Sequence, residues 1–161
     1  MIVVADTSPL IGLVKIGHVD VLPRLYGPVV IPPEVAAELT DAKRPAEVRA
    51  FINSSPAWLS IRAPGRLEAI DDIDIGERAA ISLALEIGAD VLLIDETRGR
   101  AAAMALHIRT VRMAAVLYDA ANAGVLPDLR AAFDKLRATN FRVPADVLDE
   151  LLKRHEALRG I

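Results

Sequence analysis

A chain of 161 residues with 53% hydrophobic residues is long enough to enclose a core and too apolar to be disordered. It has no cysteine, which excludes disulfides, thiolate zinc sites and a cysteine nucleophile, and fits a reducing compartment. The net charge of −3 excludes a broad electrostatic footprint on nucleic acid, so any contact with a polyanion must be local.

Taken in chain order, Ile2–Ala5 is an apolar run that reads as a buried strand ending at Asp6. Pro9–Ile16 reads as a helix, and Val19–Tyr26 as a second one interrupted by Pro23. Val29–Ile31 predicts a strand, and Glu34–Leu39 a helix opened by proline. Ala46–Ile52 follows as helix, and Trp58–Ile61 as a short edge strand or only an extended segment. In Gly76–Ile87 the apolar residues Ala79, Ala80, Leu83, Ala84 and Ile87 recur at the helical period, and Gly88 stops the helix. Val91–Ile94 is a continuous apolar strand of the parallel, doubly covered type. Arg98–Leu106 is helix, Ile108–Val111 strand and Met113–Ala123 helix. Asp128–Ala138 and Ala145–Leu158 are two last helices around Phe141-Arg142-Val143.

Strands alternating with helices predict one α/β domain over residues 1–161, a three-layer α/β/α sandwich around a mainly parallel sheet. The N-terminus lacks the basic stretch of a signal peptide, and no apolar run is long enough for a membrane span. The expectation is a soluble, cytoplasmic protein with no membrane partner.

Chemistry in open α/β sheets gathers beyond the carboxyl ends of the strands. Asp6 and Asp95 sit there, in the matching segments Asp6-Thr7-Ser8-Pro9 and Asp95-Glu96-Thr97-Arg98. An aspartate in that place can be a helix cap, but Ser8 before Pro9 and Thr97 before Arg98 are the better-placed caps. Each aspartate is then free to face the crevice. Glu34 and Glu38 share a helix face, and the helix dipole accounts for Glu34 but not for Glu38. Glu77 at a helix start is ambiguous alone.

Local charge is uneven. Glu68, Asp71, Asp72, Asp74 and Glu77 outnumber Arg66 within residues 66–77, whereas Arg98, Arg100, Arg109 and Arg112 outnumber Glu96 within 96–112. Either segment alone reads equally well as solvated surface. Several carboxylates at one crevice would repel by roughly 4 kcal/mol per pair at about 4 Å, unless protons or cations neutralise them. Oxygen-only ligands suit magnesium or manganese, and two such ions can activate water and steady the leaving oxygen of a phosphodiester. His18, His107 and His155 have no metal-ligand spacing, and neither a Walker-type loop nor a Gly-x-Ser-x-Gly elbow is present.

With those acids placed, the chain resembles the PIN-domain family, close to the compact prokaryotic branch that includes VapC-type toxins of toxin–antitoxin systems. The matching segments are Val3-Val-Ala-Asp6-Thr-Ser-Pro-Leu-Ile11 and Val30-Ile-Pro-Pro-Glu-Val-Ala-Ala-Glu38-Leu39. They continue with Gly76-Glu77-Arg-Ala-Ala-Ile81, Leu92-Leu-Ile-Asp95-Glu-Thr-Arg-Gly-Arg100 and Phe141-Arg142. The resemblance implies a metal-dependent ribonuclease whose Asp6, Glu38, Glu77 and Asp95 are both catalytic residues and ligands of Mg2+ or Mn2+. It also implies an RNA substrate, a cognate antitoxin protein and a homodimer. Arg100, with Arg98 as the alternative, is the candidate phosphate contact, and Ser8 joins them as a substrate-binding candidate. The third acid is often aspartate in those toxins and is Glu77 here. The glycine-rich stretch of the related proteins reads Val111-Arg-Met-Ala114 here.

Two other readings compete. One is a catalytically inactive PIN-fold interaction protein. The other is a haloacid-dehalogenase-like phosphatase, which needs a second acid where Ser8 stands. For the dimer, Val147, Leu148, Leu151, Leu152 and Leu158 form an apolar stripe that serves either self-association or the chain's own core. The early helices over Leu10–Leu25 are the other candidate surface.

Overall fold

A computed structural model describes residues 1–160. Its strands β1 (Val3–Ala5), β2 (Val29–Ile31), β3 (Leu59–Ile61), β4 (Val91–Leu93) and β5 (Thr110–Val111) form an all-parallel sheet in the order β3-β2-β1-β4-β5. Val3 pairs with Val29 on one side and Val91 on the other, and Val4 likewise with Val30 and Leu92. Central β1 and β4 are wholly buried, which is why they are uninterrupted apolar runs. Of Trp58–Ile61, Leu59–Ile61 forms the edge strand β3, exposed at Ser60 and Ile61.

The helices are α1 (Thr7–Lys15), α2 (Val21–Tyr26), α3 (Pro33–Thr40), α4 (Ala46–Asn53), α5 (Ile75–Ile87), α6 (Thr97–Ala105), α7 (Met113–Asn122), α8 (Leu129–Arg137) and α9 (Ala145–Leu158). The chain steps outward from β1 to β2 and β3, then crosses back to β4 and β5. Right-handed crossovers therefore place the two sets of connecting helices on opposite faces, the α/β/α sandwich expected from the alternation. Leu10 and Leu13 of α1, Val35 and Leu39 of α3, Ile81 and Leu83 of α5 and Leu117 of α7 are fully buried in one continuous core. Each contributes about 1.5–3 kcal/mol by leaving water, and together they hold the carboxyl ends of β1 and β4 in place.

Several local expectations are corrected. The N-cap positions of α1 and α6 are Asp6 and Glu96, not Ser8 and Thr97, so α1 begins two residues and α6 one residue before the predicted start. Asp6 nevertheless makes no side-chain cap hydrogen bond, which leaves its carboxylate free. Pro23 does not interrupt α2; it lies in the first turn, where its missing N–H is not needed. β5 is shorter than Ile108–Val111, and His107, three residues before it, turns at φ 61°. The α9 stripe is largely spent on the chain's own core, where Leu148 and Leu152 are buried against α7 and α8. Leu10, Leu13 and Leu22 of the early helices are buried as well. No helix among the described residues is long and apolar enough to cross a membrane.

Candidate metal centre

β1 and β4 are neighbours whose chains leave in opposite directions, so a crevice opens at their carboxyl ends. The Asp6 N–H donates to the Leu93 carbonyl at 2.9 Å, which fixes the end of β1 to the end of β4. Asp6 is 2% exposed and its Oδ1 is buried with no hydrogen-bond partner. Two residues past β4, Asp95 accepts from the Met113 N–H at the start of α7, 3.2 Å to Oδ1 and 3.3 Å to Oδ2. That helix N-terminus favours a negative charge. The Nε of Arg112 lies 3.8 Å from Asp95 Oδ1.

α3 delivers Glu38 to the same crevice. Its Oε2 accepts a short hydrogen bond from the Thr7 hydroxyl, and its carboxylate passes directly over Gly76 at the start of α5. One residue on, Glu77 is buried, and its N–H donates to Oδ1 of Asp74, the N-cap of α5, at 2.8 Å. Gly99 of α6 makes room on the far side: a Cβ there would stand 3.0 Å from Glu77 Oε2 and 2.7 Å from Ile94 Cδ1.

Burial is the largest cause of the shift at each of these acids, and neighbouring acids add to it at Asp6, Glu38 and Glu77. Burial, reinforced by Asp74, Glu38 and Asp95, pushes Asp6 up to about 7. Burial, then the neighbouring Asp74, Asp6 and Glu96, pushes Glu77 up to about 8. Burial raises Asp95 to about 6, against the Met113 N–H and the charges of Arg112 and Arg100. Glu38 is raised by burial and by Asp74, with the Thr7 hydroxyl and Arg44 acting against the shift. The fold therefore brings Asp6, Glu38, Glu77 and Asp95 around one crevice, with Asp6 coupled to each of the other three.

The donor set suits a hard divalent cation: carboxylates only, one with a buried and unpartnered oxygen. Among the described residues no three of these side chains already converge on a single point. Glu38 is turned to Thr7, Asp95 to Met113 and Arg112, and Asp74 caps α5.

Of the substrate-binding candidates, Arg100 is half-buried, its Nε has no partner, and its charge favours the ionised form of Asp95. Arg98 is exposed, and its N–H donates to the Glu96 carboxylate at 3.4 Å. Ser8 is half-buried in the first turn of α1. Sequence reasoning missed Asp74, which it counted only as part of a charged segment. The spacing Asp74-x-x-Glu77 is a capping signature that could have revealed it. Thr7 and Arg112, which orient Glu38 and flank Asp95, carried no comparable signal.

The family model DUF3368, a PIN domain, matches residues 2–157 of the chain. Among solved structures, the chain is similar to a PilT N-terminus domain protein from the hyperthermophilic archaeon Sulfolobus solfataricus P2. The TM-score is 0.57 at 17% identity, over 80% of this chain and 96% of the other. At that identity the likeness concerns the fold. No curated protein matches the chain.

Proposed function

Because the chain belongs to the PIN-domain family, which generally comprises metal-dependent nucleases, we propose that it is a magnesium- or manganese-dependent endoribonuclease and the toxin of a toxin–antitoxin pair. The observation that carries this reading is Asp6, whose buried, unpartnered Oδ1 stands amid three further acids. In this reading Asp6, Glu38, Glu77 and Asp95 are the metal-holding and catalytic residues. A divalent cation held there would polarise the phosphodiester and make water a better nucleophile. Thr7 orients the Glu38 carboxylate and the Met113 N–H orients that of Asp95. Asp6 and Glu77 must give up their protons before they can serve as ligands. Arg100 supplies a cation for a phosphate beside the site; Arg98 and Ser8 are secondary contacts.

The test is incubation with a single-stranded RNA, and with DNA of the same sequence, in manganese or in chelator. Internal cuts in the RNA that need the metal are expected. A chain that cuts neither polymer in manganese is the inactive interaction protein instead. The antitoxin would cover the crevice and block those cuts. The chain is also proposed to form a homodimer through residues that α9 leaves outside the core, such as Leu158, which is 70% exposed. A monomer by light scattering would end that part of the reading.

A further inference from the structure

The Phe141-Arg142 segment between α8 and α9 contributes no acid to the crevice, yet it borders it. A cleft of about 600 Å³ opens beside Asp95, and its lining joins Asp95, Glu96 and Arg112 to Arg137, Phe141 and Arg142. That volume is ordinary for a ligand site, but three arginines in one cleft suit a polyanion.

The arginines are not equivalent. Arg137 is held by Asp149 at 2.8 Å and Asp134 at 3.3 Å. Arg112 comes within 3.8 Å of Asp95, too long for a hydrogen bond, so its guanidinium keeps free donors. Arg142 is exposed and forms no ion pair among the described residues. The one acid in the lining besides Asp95 is Glu96, an exposed side chain that accepts from the Arg98 N–H at 3.4 Å.

We propose that this cleft seats the stretch of single-stranded RNA next to the cleaved phosphodiester, with Arg112 and Arg142 each holding a backbone phosphate. The proposal rests on the nuclease reading above. A guanidinium with free donors binds phosphate oxygens in pairs. The net charge of −3 gives the rest of the surface little hold on RNA. Phe141, half-buried in the same lining, offers an aromatic surface on which a base stacks.

The experiment uses the full chain carrying Asp6→Asn, so that RNA is bound in manganese without being cut. Binding of a labelled single-stranded oligoribonucleotide is followed by anisotropy from about 50 to about 200 mM salt. Adding Arg142→Ala should lower the slope of log affinity against log salt by about 0.7, the effect of one lost phosphate contact on a single strand. Arg142→Lys should retain the slope, and Arg66→Ala, at a side chain 82% exposed outside the cleft, should leave it unchanged. An oligonucleotide carrying 4-thiouridine should crosslink to the peptide containing Phe141. An unchanged slope with Arg142→Ala, or crosslinks confined to other peptides, overturns the proposal. If the wild-type chain still cuts RNA in that case, the nuclease reading survives alone. If RNA is neither bound nor cut, both readings fall.

Discussion

The carboxylate of Glu38 lies against the bare Cα of Gly76, so close that a Cβ on residue 76 would overlap Oε1. An acid on α3 and a glycine at the start of α5 thus fit as one unit, although neither needs the other for its own helix. Gly76→Ala should push the Glu38 carboxylate aside while the helix gains up to about 1 kcal/mol of propensity. Displacement of a catalytic group by about 1 Å can cost on the order of 100-fold. The expected outcome is a 10- to 100-fold loss of kcat/KM on RNA, roughly, with a melting temperature that is unchanged or higher. Steady-state kinetics and a thermal melt check it; full activity would show that Glu38 does not need its present place.

Stability without metal should fall as the pH rises toward neutrality and beyond. Burial lifts Asp6 from 3.8 to about 7 and Glu77 from 4.5 to about 8, so the folded chain holds protons that the unfolded chain has released. Each such group lends stability below its unfolded pKa and loses it as pH passes through the folded one. The window is therefore about pH 4 to pH 8. In a chain of this size 1 kcal/mol moves the melting temperature by about 2–4 °C. Melts in chelator should drop by more than one such step across the window. A flat profile would contradict the buried, charge-disfavouring setting of Asp6 and Glu77.

Much of this was readable in the residues, and the gaps have physical causes. The runs ending at Asp6 and Asp95 were legible because central parallel strands are apolar throughout and the chemistry lies at their carboxyl ends. Glu38 was legible because the helix dipole gives no reason for an acid late in α3. The caps were misjudged because a hydroxyl before proline is a good local signal, whereas the chain already turns into α1 at Thr7 and into α6 at Thr97. Asp74 was lost among Asp71 and Asp72, since only the folded start of α5 sets its charge against Asp6, Glu38 and Glu77.

Asp74 itself gives a prediction in which stability and metal binding move oppositely. Asp74→Asn keeps a side-chain oxygen to accept the Glu77 N–H, but removes the charge that raises three of its neighbours. The metal-free variant should melt a few degrees higher at pH 7, about 2–4 °C for each kcal/mol of relieved repulsion. Its manganese affinity should fall. Asp74→Ala also loses the cap, worth about 1 kcal/mol, and should show a smaller gain or none. A lower melting temperature for Asp74→Asn would mean that the charge stabilises the start of α5 more than it disturbs the crevice.

The most direct measurement of the central claim is manganese uptake by the metal-free chain at pH 7, followed by the spectrum of the free ion and by proton release. Asp6 and Glu77, lifted to about 7 and about 8, hold protons near neutral pH that must leave when a cation arrives. Wild-type chain should therefore bind manganese with release of protons, and its melting temperature should rise with ion concentration. Asp6→Asn and Asp95→Asn should each weaken the uptake strongly while leaving the fold intact. No uptake at millimolar manganese by the wild-type chain, or uptake by either variant equal to that of the wild type, would contradict the account.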